Sequence, residues 1–347
     1  MASLIHYAND THDLTVPRML MNLVDPLVDA GDVAQAVAAS VDSLESVGIA
    51  SFDADVVYDF RAQRPIVSYQ DGKLVDLAQP HMNLDLVTDM HGENFLYLSG
   101  QEPDFRWNTL TQDLLSVVKR FGVREVFSFA GMPAGVPHTR PADMLIRTTT
   151  RTDVQFVPGS ADHFSQLQDF FEFHAGRSGV SVTNIRVRVP FYMAKGPHPF
   201  ISGALAVIKM TANLGGPTLP LGDLEQLEDE QLSGLNQMVE EGSDFAQLLS
   251  RLEEEYDKLP SNAGVTRPAD ILPPMPTSEE IAQAAEQFLA SLAKDPLRQA
   301  KDEGERHGAP EPEKRKDGGQ GDFEAEQHAG LRAAMTGRLR RGKHHKD

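Results

Sequence analysis

The chain has 347 residues, 40% hydrophobic and 24% charged, enough for one large or two medium domains with a sizeable core. It has no cysteine, no apolar run near the roughly 18 residues of a membrane span, and no amino-terminal leader pattern in MASLIHYANDTHD, so thiol chemistry, disulfides and a membrane role are excluded and a cytoplasmic location is expected. The net charge of -19 is uneven: Lys294 to Asp347 hold 13 basic and 11 acidic residues, leaving -21 on residues 1 to 293, a body that repels phosphate backbones and is expected to take no nucleic acid.

Up to residue 220 short β-rich runs alternate with amphipathic helical patterns, the arrangement of an α/β layer fold. Asp32 to Val47 reads as an Ala-rich helix. PIVSY (65 to 69), Asp71-Gly72 and KLVDL (73 to 77) form an expected hairpin, because Asp-Gly supplies the positive dihedrals of a tight turn. Strands are expected at Leu84 to Thr88 and at NFLYL (94 to 98). The helix from 105 to 121 carries Trp107, Leu110, Leu114, Val117, Val118 and Phe121 on one face, a core stripe. After Gly122, EVFSFA (125 to 130) is apolar almost throughout and predicts a strand buried on both faces.

The stretch GMPAGVPHTRPA (131 to 142) then reads as a loop before a strand at 143 to 151. A helix at 161 to 174 aligns Phe164, Leu167, Phe171 and His174, with His174 expected as a core histidine. A strand at 186 to 189 and a small-residue helix at 199 to 212 complete the α/β region, 1 to 220; Gly203, Ala204 and Ala206 let that helix approach a neighbour closely. Residues 221 to 259 hold 12 acidic residues against Arg251 and Lys258, yet space their apolar residues as two helices with Gly242-Ser243 between. They read as an acidic helical hairpin on the α/β domain, either a solvated face or a surface for a basic partner. The acidic appendage extends through a Pro-rich connector (267 to 277) and a final helix to 293. Residues 294 to 347 have the composition of a disordered charged tail, ending in the basic RLRRGKHHK (338 to 346).

Ligands of open parallel sheets sit beyond the carboxyl ends of the strands. Two Gly-led loops occupy such places: Gly100, Gln101 and Glu102 (in GQEPD), and Gly131 with His138, Thr139 and Arg140. The last three offer donors suited to a small anion. The structural alternative is a Pro-stiffened loop whose polar side chains satisfy the backbone or pair with Glu102. Asp104 is expected as a helix N-cap. Phosphate-loop, dinucleotide, nucleophile-elbow and zincin motifs are all missing. His91-Gly-Glu93 is too sparse for a metal site, and His344 with His345 offers adventitious metal binding only. No catalytic residue, cofactor or metal is assigned.

The hairpin at Asp71-Gly72, the block YLSGQEPDFRW (97 to 107), the strand leading to GMPAGVPHTRP (131 to 141) and VPFY (189 to 192) together resemble the PAC2 family, relatives of proteasome assembly chaperone 2, in its actinobacterial branch. The resemblance covers roughly residues 15 to 255. It implies a three-layer αβα sandwich similar in topology to nucleoside phosphorylases. Eukaryotic and archaeal relatives act as chaperones for proteasome α-subunits. Some bacterial members are labelled ATP-grasp ligases, a label for which this sequence has neither phosphate loop nor carboxylate pattern. Docking relatives end in a hydrophobic residue, Tyr and a final residue; this sequence ends His345-Lys346-Asp347, a departure. The expected function is a non-enzymatic binding or chaperone-like factor that self-associates, with proteasome subunits as candidate partners. The alternative is an enzyme or sensor holding a nucleoside or phosphorylated metabolite between the two loops.

Overall fold

The computed structural model describes residues 3–8, 14–24, 28–151, 165–239, 243–259 and 265–266, all within one compact unit, Met1–Leu272. The expectations for the connector, the last helix and the tail, and the start of the helix at 161, lie outside the described residues.

Among the described residues, ten strands and seven α-helices follow one another in the order β1 (Ile5–Tyr7), β2 (Arg18–Val24), α1 (Val33–Asp42), β3 (Ser46–Phe52), α2 (Ala54–Val57), β4 (Ile66–Gln70), β5 (Lys73–Ala78), β6 (Met82–Thr88), β7 (Asn94–Gln101), α3 (Trp107–Phe121), β8 (Glu125–Ala134), β9 (Met144–Thr148), α4 (Leu167–Arg177), β10 (Ser181–Pro190), α5 (Ile201–Asn213), α6 (Leu224–Gln237) and α7 (Asp244–Lys258). Eight strands form one sheet in the order β1-β3-β6-β7-β2-β8-β10-β9, and β4 with β5 forms a separate hairpin. The four central strands β7, β2, β8 and β10 are parallel, and the outer ones are antiparallel.

Central strands buried on both faces explain the continuous apolar runs. In β2, Leu20 joins one core while Met19, Met21 and Leu23 join the other; in β7, Phe95 and Tyr97 face one way and Leu96 and Leu98 the opposite way. Helices α1 and α5 cover the first face, α3 and α4 the second, which makes the three-layer αβα sandwich. Ala204 is fully buried, and a Cβ on Gly203 would stand 3.2 Å from Val33 of α1, so small residues do bring α5 close to a neighbour.

Several elements differ from the sequence reading. The helix expected to reach Val47 ends at Asp42, because β3 begins at Ser46. Strand β8 runs through Gly131 to Ala134, paired with β10 as far as Pro190, so the first third of the expected loop is sheet. His174 is not a core histidine: Leu167, Phe171 and Ala175 point inward, while His174 is half-buried against the exposed Phe173. Of the six-residue stripe on α3, five side chains are buried and Trp107 is half-buried, its Nε1 donating to Pro103 O at 2.6 Å.

Candidate functional site

Because β7, β2, β8 and β10 are parallel, the two Gly-led loops lie at the same end of the sheet. Strand β2 stands between β7 and β8. The chain after β2 leads to α1 on one face, and the chain after β8 leads by way of β9 to α4 on the other. This divergence is where open α/β sheets form a crevice.

Here the crevice is closed by Asp29, a residue the sequence reading passed over. Its Oδ1 accepts from Gly131 N–H and its Oδ2 from Ala34 N–H in the first turn of α1, each at 2.8 Å. Asp29 is 3% exposed. Burial pushes its carboxyl up to about 6, against the pull of the two N–H donors. A Cβ on Gly131 would stand 1.9 Å from Ala30 O, so glycine is what lets the strand end reach Asp29. The sequence signal was present, since an Asp just ahead of an Ala-rich helix is a helix-start residue.

The GQEPD block is a clasp. Gly100 has φ +135° and a Cβ there would lie 1.8 Å from His81 O. Gln101 N–H donates to His81 O at 3.1 Å, and Gln101 Oε1 accepts from His81 N–H at 2.9 Å. Together these two hold the chain where the β4–β5 hairpin returns to the sheet. Glu102 is buried, and its Oε1 accepts from Leu167 N–H at 2.5 Å, so it caps α4, where the helix dipole favours an anion. Its carbonyl accepts from Gln63 Nε2. Asp104 is not an N-cap: α3 starts after Arg106, which has left-handed dihedrals, and Asp104 Oδ2 accepts from Asp59 N–H at 2.8 Å and from Gln63 Nε2 at 3.2 Å.

The second loop is engaged by the acidic helices. His138 is 3% exposed. Tyr192 Oη accepts its backbone N–H at 2.9 Å and lies 2.8 Å from its Nδ1; Nε2 lies 3.3 Å from Asn236 Oδ1 of α6. With Tyr192 donating to Nδ1, Nε2 carries the proton, and burial holds the imidazole below its ordinary pKa. Thr139 Oγ1 donates to Glu253 Oε1 of α7. Arg140 donates to both carboxylate oxygens of Asp257, at 2.9 and 2.8 Å, and to Glu253 at 3.4 Å. The Asp257 bond raises its pKa further. Tyr256 Oη donates to Pro141 O at 2.8 Å. Glu102 thus caps α4, while Arg140 holds carboxylates of α7.

A third cluster, also unanticipated, lies where α4 faces β9 and β10: Arg147 donates to Asp169 at 2.5 Å and Glu172 at 2.8 Å, and Arg186 to Asn184 at 2.9 Å. Two cations against two carboxylates make it self-neutralising. An open depression of about 520 Å³ adjoins it, and one of about 660 Å³ lies along α7; neither is lined by any of the seven expected site residues. Among the described residues no group of three or more His, Cys, Asp or Glu could hold a metal ion, and no helix is long and apolar enough to cross a membrane.

Comparison with known proteins gives the arrangement its context. Crystal structures of proteins of unknown function from Corynebacterium glutamicum and Mycobacterium tuberculosis are 26% and 25% identical, both with a TM-score of 0.68; they cover 73% and 74% of this chain, and 97% and 90% of their own. A Mycobacterium tuberculosis proteasome-assembly chaperone homologue is 22% identical over 67% of this chain and 99% of its own, with a TM-score of 0.58. No curated protein matches in sequence. The PAC2 family pattern matches residues 23–239, well over half of the sequence, across both Gly-led blocks and the strands that carry them, and the chain therefore belongs to the PAC2 family.

Proposed function

We infer that the protein is a non-enzymatic, chaperone-like binding factor of the cytoplasm that self-associates and takes proteasome subunits as clients. One observation carries this reading. The hairpin β4–β5 stands outside the main sheet with Ile66, Val67, Tyr69, Leu74, Val75 and Leu77 exposed by 43% to 69%. A two-stranded hairpin is marginal in water on its own, and exposed apolar surface of this kind supports a role in protein contact. The two signature blocks support the same reading, since one roots the hairpin and the other seats α6 and α7. The proteasome enters through the family alone, as a chaperone homologue shares the fold.

No observation favours the small-anion alternative. Gly131 N–H and the side chains of Gln101, Glu102, His138, Thr139 and Arg140 are hydrogen-bonded within the chain. Native mass spectrometry of the chain with separately expressed proteasome α- and β-subunits tests the proposal. The expected result is a complex with one of them and faster assembly; no complex together with unchanged assembly kinetics refutes the proteasome assignment.

A further inference from the structure

Helix α7 touches the rest of the chain as a ligand touches a receptor. Its buried side chains are Leu249, Leu252 and Tyr256, while α6 has none. Its polar anchors stay near solvent, with the Asp257 side chain 53% exposed and Arg140 31%. Contacts lie along it in a defined order: the Phe245 ring stands edge-on to Tyr192 at 5.3 Å, Glu253 meets Thr139 and Arg140, Tyr256 reaches Pro141 O, and Asp257 closes the fork on Arg140.

The helix is poorly matched to its own dipole. Glu253, Glu254, Glu255 and Asp257 crowd its last turns, where the partial charge is negative, and only Arg251 and Lys258 oppose them. Isolated, such a helix is disfavoured; Arg140 and Thr139 supply what the dipole withholds. A helix that buries only three side chains, Leu249, Leu252 and Tyr256, and otherwise relies on polar contacts near solvent lies toward the low end of local stability.

We propose that the Tyr192–Thr139–Arg140 surface is a receptor for an acidic amphipathic helix, that α7 fills it in cis, and that a partner presenting an aromatic residue followed by a carboxylate pair at the same spacing displaces α7. This rests on the protein-binding reading and names the chemistry of one partner. Vacating α7 removes five carboxylates, those of residues 244, 253, 254, 255 and 257, and leaves the Arg140 guanidinium facing the incoming helix. Bidentate capture of a carboxylate by arginine is what selects an acidic helix over a basic one.

The test uses the full chain and a labelled peptide of its own residues 243 to 259. Replacing Glu253→Ala and Asp257→Ala in the chain loosens the cis contact at two surface positions without disturbing the fold; Tyr256→Ala serves as a second loosened variant. The peptide is expected to bind the loosened chain at least tenfold more tightly than the unaltered one, less tightly as salt rises. Adding Arg140→Glu is expected to abolish binding, and a peptide carrying Glu253→Lys and Asp257→Lys to restore it. A folded loosened chain, by circular dichroism, that ignores the peptide overturns the proposal, as does binding indifferent to Arg140→Glu. A complex with proteasome subunits but no peptide binding sinks this inference alone; the reverse leaves it standing.

Discussion

Asp29 and Gly131 meet where the chain parts to opposite faces of the sheet, and their contact carries a pH signature. The carboxyl is raised from 3.8 to about 6 in the folded chain. The folded state therefore holds this proton more tightly than the unfolded one. The resulting stability is fully present below about pH 4 and is lost as pH rises through 6. About two pKa units correspond to about 3 kcal/mol. Urea unfolding of the wild type and of Asp29→Ala should show the difference between them moving in favour of the wild type by about 2–3 kcal/mol from pH 7 to pH 4. Its neighbour is limited by space: Gly131→Ala places a methyl 1.9 Å from Ala30 O and should cost about 3 kcal/mol or more, read from the same denaturation.

Among the elements, α7 illustrates what a sequence can and cannot say. It is legible as the second of two helices because Phe245, Leu248, Leu249, Leu252 and Tyr256 keep helical spacing after the Gly242-Ser243 break. Its acidity was read as a solvated face or a surface for a basic partner, but Glu253 and Asp257 pair with Arg140, more than a hundred residues away. Local pattern cannot reveal such a pairing. Strand β2 escaped for a different reason: RMLMNLV is buried on both faces, so it has no alternation, and its Met and Asn are weak strand formers. The seven candidate ligand-binding residues stand out in the sequence as polar groups on two Gly-led loops, but their partners do not: Gln101 bonds His81 and Glu102 bonds Leu167, both distant in the chain. Removing one anchor should show in α7 alone. Arg140→Ala is expected to speed amide exchange in residues 244 to 258 on the order of tenfold, with the global unfolding midpoint nearly unchanged.

At the scale of the whole molecule, two appendages on one closed sandwich divide the surface into an apolar arm and an acidic face. The arm is the more demanding of the two. Tyr69 pairs with Leu74 and Val67 with Leu77, and the register shift between Ser68 and Tyr69 puts these four on one face of the hairpin. All four are exposed in the single chain, so their own core gains nothing from them. Laid against an equivalent face, they bury apolar area at about 25 cal/mol per Å², a gain that is largest if the arm is held at a fixed angle. Gly100 and Gln101 supply that fixing through His81. Replacing Tyr69→Lys with Leu74→Lys should therefore lower the mass seen by light scattering from oligomer to monomer while leaving thermal unfolding within about 0.5 kcal/mol of the parent, as for surface changes. A monomeric parent, or an unchanged mass in the variant, would remove the hairpin as the basis of self-association and leave the client as the only partner it serves.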